Sequence, residues 1–490
     1  MTWTQLLAVI AATIAMVAAA LAAPTTPEIM GDDTVSFLGK PSRTSVLVAA
    51  DSTGLSLHEI RQYEADRLAA SGYTGQGIDV AVIDTGVAPV QGLDSAGKVI
   101  HGPDLSNEGA VQNLATLDTY GHGTHMAAII AGNDGTSKGF KGIAPDARIV
   151  SLKVAGATGQ THIAQVIAAI DWVVEHRNTD GLNIRVLNLS LGRDGVATSL
   201  NDPLSAAVER AWDAGIVVVV AAGNRSNKSD GLDSPAVSPY VIATGALDGK
   251  DAHDGVAKWS SGGNGDRNPD LVAAGASILS LRVPGSTLDQ AYPEAVVGTR
   301  YMKGSGTSQA AAVTSGSAAL LLSAKPGLTP DQVKAALTES SEDVDRRTTL
   351  LDGSGKVRPS TAVSVSTNSS VKQAHQSFPR AMRRGSWDDY TAWKGGTWSG
   401  GTWSGGTWSG ATWSGATWSG ATWSGATWSG GTWSGATWSG ATWSGATWSG
   451  GTWSGATWSG GTWSGVRWSG YTSAAGTVVA DTTKTLTHAG

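Results

Sequence analysis

Five short runs rich in β-branched residues recur through the first half of the chain: VAVI at 80–83, IVSLKV at 149–154, IRVLNLSL at 184–191, IVVVVAA at 216–222 and YVIATGA at 240–246. Each is close to continuously apolar rather than alternating, which predicts strands buried on both faces. Helical spacing fills several of the gaps, at Ile163–His176, Leu204–Ala214 and Thr307–Ala324. Strands alternating with helices predict an α/β fold, with a mainly parallel sheet between two layers of helices. Reactive side chains in such a fold belong at strand ends and helix starts.

The chain has 490 residues, 41% of them hydrophobic, enough for a full-sized core with material left over. A net charge of −6 provides no broad basic face, which argues against nucleic acid as a partner. Cysteine is absent, so disulfides, thiolate metal sites and a cysteine nucleophile are excluded.

Leu6–Ala22 is apolar apart from Thr13 and ends in Ala20-Leu21-Ala22, a small-x-small pattern that predicts a cleaved signal peptide over 1–22 and an extracytoplasmic protein. The same run approaches the shortest membrane-spanning length of ~17 residues, so an uncleaved anchor is the alternative. Residues 23–57 form a short propeptide or N-terminal extension, and a helix is expected within His58–Ala70. The main folded domain is expected over 58–345, closing on a helix at Pro330–Leu337 that Thr329 and Asp331 are suited to open. Residues 346–394 read as a solvated linker. From Trp398 to Trp468 a tryptophan then recurs at every fifth position, mostly as GTWSG or ATWSG, defining a repeat region over 395–470 and a tail over 471–490. A period of five fits neither a helix nor a plain strand. The ordered form expected is short Thr-Trp-Ser strand pieces turning at glycine and stacked on one another; a disordered tether is the alternative.

Three motifs carry chemistry. Asp84 ends the apolar run VAVID and precedes Thr85-Gly86, where a strand meets a loop and a carboxylate can be shielded. GHGTH offers His122 and His125 at the start of a helix; an H-x-x-H pair with Asp118 as third ligand could chelate a metal, but the HExxH spacing and its glutamate are missing. His122, flanked by two glycines that permit close backbone approach, is the better general base, and His125 is expected to pack within the helix. Ser308 follows Gly306-Thr307 and opens a helix of small residues, which presents its hydroxyl beside free N–H groups. Carboxylate, imidazole and hydroxyl in the chain order Asp, His, Ser form one of the known arrangements for acyl transfer. Asn224 ends VVVVAAGN, where its amide can serve a tetrahedral intermediate; loss of such a donor costs ~10²–10³ in turnover, about 2.7–4 kcal/mol.

Together with NLSLG at 188–192 and SPAVSPYVIATGA at 234–246, these segments resemble the subtilisin-like serine proteases over about residues 75 to 340. The resemblance implies the subtilisin-like three-layer fold, an endopeptidase acting through an acyl-enzyme, an edge at Ser190, Leu191 and Gly192 that pairs with extended polypeptide, and a primary specificity pocket lined by Ala221, Ala222 and Gly223. Strand addition suits extended, flexible substrates. The chain departs from the family pattern at Gln309, where methionine is usual, at Ala312-Val313 in place of Pro-His, and at Ala274-Gly275 in place of Pro-Gly. No cofactor is expected; the resemblance allows structural calcium, but no calcium loop is legible. A monomer acting on polypeptides is expected. The competing reading makes the tryptophan array the main function, as a cell-wall-binding, self-associating or adhesive module attached to a relict peptidase domain.

Overall fold

The computed structural model describes residues 34–36, residues 64–367 apart from 112, 137–138, 195–198, 200–201, 227–230, 249–254 and 345–348, and short strands between 393 and 473. The predicted signal peptide and the tail beyond 473 lie outside the described residues. Two compact units are present, one holding most residues up to 376 and the other holding the repeats.

The described residues of the first unit begin with a short strand, Thr34–Ser36, paired antiparallel with Gln160–His162, and helix α1 (Ala65–Ala70) follows, the described part of the helix expected within 58–70. A seven-stranded sheet follows: β1 (Asp79–Asp84), β2 (Val99–Asp104), β3 (Arg148–Lys153), β4 (Ile184–Leu189), β5 (Val217–Ala221), β6 (Ile242–Leu247) and β7 (Leu271–Ala274). All are parallel, in the order β2-β3-β1-β4-β5-β6-β7. The strands β1, β5, β6 and β7 are buried at every position, as their unbroken apolar runs require.

From β1 the chain runs to the edge strand β2, then through α2 (His122–Ala131) to β3, through α3 (Ile163–His176) to β4 and through α4 (Pro203–Asp213) to β5. The connections β2-α2-β3 and β3-α3-β4 step in the same direction along the sheet, yet the helices sort into two groups: α3 packs on α4, while α2 packs on α5 (Thr307–Ala324). All but the last two residues of α5 are buried, and it lies against β4 to β7. A small antiparallel pair, β8 (Ile278–Leu281) and β9 (Tyr301–Gly304), leads into α5.

The strand order reverses beside β1, so the carboxyl ends of β1, β4 and β5 surround a switch point, where open α/β sheets form their sites. Asp84, Ser190 and Ala222–Asn224 all fall at those ends.

After α6 (Pro330–Glu339) the chain does not pass straight into a solvated linker, a correction to the boundary expected at 346. Gly355–Val357 extends the sheet: Val272 N–H donates to Gly355 O and Val357 N–H to Val272 O, both at 2.9 Å. The turn Pro359–Ala362 packs on α1, α5 and α6, and Glu64 accepts from Arg358 Nε and Ser360 N–H, each at 3.1 Å. Backbone pairing and one carboxylate anchor a stretch whose polar composition reads as linker.

In the second unit each Thr-Trp-Ser is a three-residue strand, paired in parallel with the strand twenty residues further on, as in Thr397–Ser399 with Thr417–Ser419. Successive pentapeptides belong to successive ladders, four in all, so four repeats make one coil. The period of five is therefore one side of a twenty-residue turn.

Candidate active site

Asp84 closes β1 with its side chain 1% exposed. His122 opens α2, and its Nδ1 lies 2.8 Å from Asp84 Oδ1 and 3.0 Å from Oδ2. The approach requires Gly123: a β-carbon there would collide with the Gly86 carbonyl oxygen and stand 3.2 Å from Asp84 Oδ1. Gly121, the residue before the helix, has φ 104°, a left-handed conformation that costs glycine little.

A carboxylate caps this helix from three residues upstream of Gly121. Asp118, 2% exposed, accepts from Gly121 N–H (2.6 Å) and Thr85 Oγ1 (2.8 Å) on one oxygen, and from Thr124 N–H (2.8 Å) on the other. Thr85 in turn accepts from Gly123 N–H at 2.9 Å, and its own N–H donates to Asp84 Oδ1 at 2.8 Å. Burial pushes the Asp118 pKa upward, opposed by those donors. The third ligand that a chelating reading of His122 and His125 would need is thus engaged with backbone instead. Among the described residues no group of three or more His, Cys, Asp or Glu side chains could hold a metal ion.

His125 makes no hydrogen bond to this dyad. Its ring is buried and its Nε2 has no hydrogen-bond partner among the described residues. Burial first, then the neighbouring His122, lowers its pKa to about 3, so it is neutral at ordinary pH. It shares the space over Gly304 with Gln309 of α5: a side chain on Gly304 would begin 2.9 Å from His125 Nε2 and 2.5 Å from Gln309 Nε2. The first turns of α2 and α5, carrying His122 and Ser308, therefore converge over Gly304.

Ser308 is 4% exposed. Its Oγ donates to Ser190 O and Ser190 Oγ donates to Ser308 O, both at 3.1 Å, while Asn188 Nδ2 donates to Ser190 Oγ at 2.9 Å. The end of β4 and the start of α5 are interlocked by this exchange. Asn224 is set by Thr307, whose N–H (3.0 Å) and Oγ1 (3.1 Å) both donate to Asn224 Oδ1. That orientation leaves Nδ2 on the other side, 3.6 Å from where a β-carbon on Gly306 would stand, a position that Gln309 Oε1 approaches to 2.8 Å. Ala221, Ala222 and Gly223 follow directly from β5, and Ser190, Leu191 and Gly192 from β4, so the two expected binding segments leave neighbouring parallel strands. All of these positions lie within the motifs read from the sequence. The motifs did not reveal Asp118 and Thr85 as supports of the dyad; the signal was an acidic residue four positions before His122.

Residues 75–362 match the Subtilase family. The chain is similar to Serine protease AprX of Bacillus subtilis (strain 168), 38% identical over 59% of this chain and 67% of that protein. It is also similar to Subtilisin DY of Bacillus licheniformis, 32% identical over 57% and 89%, and to Subtilisin of Bacillus pumilus, 33% identical over 58% and 90%. Chain order, parallel sheet and these relatives agree: the chain belongs to the subtilase family, a family of serine endopeptidases.

Proposed function

We propose that Ser308 is the nucleophile, His122 the general base, Asp84 its orienting carboxylate and Asn224 the oxyanion donor of an exported endopeptidase. The observation that carries this reading is the His122 Nδ1 contact with both oxygens of buried Asp84, on a helix whose first turn meets that of Ser308. Asp84 holds Nδ1 protonated, which leaves Nε2 basic for the Ser308 hydroxyl. Attack of Oγ on a peptide carbonyl transfers its proton to His122 and places negative charge on the carbonyl oxygen. Asn224 Nδ2 and the Ser308 N–H at the start of α5 stabilise that charge. His122 then protonates the leaving amine, and the acyl-enzyme is hydrolysed by water activated in the same way.

Extended polypeptide pairs with Ser190–Gly192 by strand addition. The Leu6–Ala22 run supports export, with residues 23–57 as a short extension ahead of the catalytic domain. Among the described residues no helix is long and apolar enough to cross a membrane. The parallel ladders of the repeats favour self-packing of the array over a cell-wall ligand, since no acidic or amide side chain accompanies the tryptophans to bind sugar hydroxyls.

Ser308→Ala tests the assignment. Casein hydrolysis and labelling by a fluorophosphonate should both disappear in a variant that still unfolds cooperatively; retained hydrolysis refutes it.

A further inference from the structure

Between the two binding segments lies a charged residue that the motifs do not include. Asp233 N–H donates to Ala222 O at 3.0 Å, and the next residue, Ser234, exchanges two backbone bonds with Arg193, at 2.8 and 3.0 Å. The Asp233 backbone is therefore tied both to the Ala221–Gly223 segment and to the residue after Gly192. Its side chain lies against a glycine of each segment. A side chain on Gly192 would begin 2.9 Å from Asp233 Cβ and 3.2 Å from its Oδ2, and one on Gly223 would collide with the same carboxylate. Gly223, at φ 112°, is doubly restricted to glycine.

One Asp233 oxygen is engaged: Arg225 Nε pairs with Oδ1, while Arg225 Nη2 donates to Gly231 O at 3.0 Å. Oδ2, the oxygen facing both glycines, accepts no hydrogen bond from any described residue. Among the described residues Arg225 is the guanidinium paired with Asp233, while Asp194 acts in the opposite sense. Burial raises the Asp233 pKa, with Asp194 adding to the rise and Arg225 opposing it.

Resting on the proposed binding segments, we propose that Asp233 forms the floor of the primary specificity pocket and selects a lysine or arginine immediately before the scissile bond. A cationic side chain entering between Gly192 and Gly223 meets Oδ2 and supplies a second counter-charge beside Arg225 for the buried carboxylate. An acidic side chain meets Asp233 and is repelled. An apolar side chain leaves the carboxylate desolvated and half-paired, which disfavours it.

The test uses the full chain on denatured casein, with cleavage sites read by mass spectrometry, and on tetrapeptide p-nitroanilides differing only in the last residue: Lys, Arg, Phe, Leu or Glu. Cleavage after Lys and Arg is expected, with kcat/KM about tenfold or more above Phe. Asp233→Asn should lower the Lys-to-Phe ratio by about tenfold or more, and Arg225→Gln should raise it by freeing Oδ1. A wild-type preference for Phe or Leu overturns the proposal, whether or not the variants fold. So does an unchanged ratio in Asp233→Asn. Hydrolysis of casein at apolar residues defeats only this inference; absence of hydrolysis and of fluorophosphonate labelling defeats the peptidase assignment beneath it as well.

Discussion

Asp118→Asn isolates the support beneath the His122–Asp84 dyad, because it preserves side-chain shape and removes one acceptor. The carboxylate receives two backbone N–H groups and a hydroxyl on its two oxygens, with 2% of its surface exposed. An asparagine that keeps Thr85 and Gly121 on its single oxygen must turn its NH₂ toward the Thr124 N–H. One charge-assisted bond, worth about 1.5–3 kcal/mol, is lost, and a buried donor left unpaired costs about 1–3 kcal/mol more. The expected destabilisation is about 3–5 kcal/mol, read by urea unfolding in a Ser308→Ala background where autolysis cannot interfere. Activity follows the same strain: relief by a shift of about 1 Å at the start of α2 moves His122, and displacements of that size cost roughly 10²-fold in rate. The loss should appear in kcat, with KM held, because the 190–192 and 221–223 segments do not touch Asp118. Stability within about 1 kcal/mol of the parent together with kcat within about twofold would refute the cap as a support of catalysis.

Two further changes probe the same region. Gly123→Ala drives a β-carbon into the Gly86 carbonyl, so folded protein with kcat reduced about 10²-fold is expected; full activity would mean that α2 can shift freely. His125 is neutral in the folded chain, with a pKa near 3 against 6.5 when unfolded. Unfolded protein therefore binds more protons between those values, and the stability this residue supports above pH 6.5 is lost as pH falls toward 3, by roughly 3–5 kcal/mol. His125→Leu in the Ser308→Ala background should flatten the acid limb of a urea-stability profile; an unchanged limb would exclude His125 as its source.

The interior strands and long helices were legible because burial on both faces needs nothing but a continuous apolar run: the expected spans 163–176 and 307–324 coincide with α3 and α5. The edge strand β2, VIHGPD, was not, since it contains Gly102 and Pro103 and is only partly buried. It is a strand because β3 supplies its partners. Residues 349–367 escaped for a similar reason, their order coming from pairing at Val272 and from Glu64 rather than from their own pattern. The motifs marked Asp84, His122, Asn224 and Ser308 by local context. Asp118 and Asp233 carry no such context: one matters for the direction of its neighbours' N–H groups, the other for two glycines 41 and 10 positions away in the chain.

The twenty-residue coil makes the extent of the repeat unit a free variable. Each strand's partner is identical to nearly all of its potential partners, so gain or loss of four pentapeptides leaves every surviving pair as it was. Only the height of the stack changes, by about 4.8 Å per coil. A segment built this way can lengthen or shorten by whole coils without producing a mismatched junction.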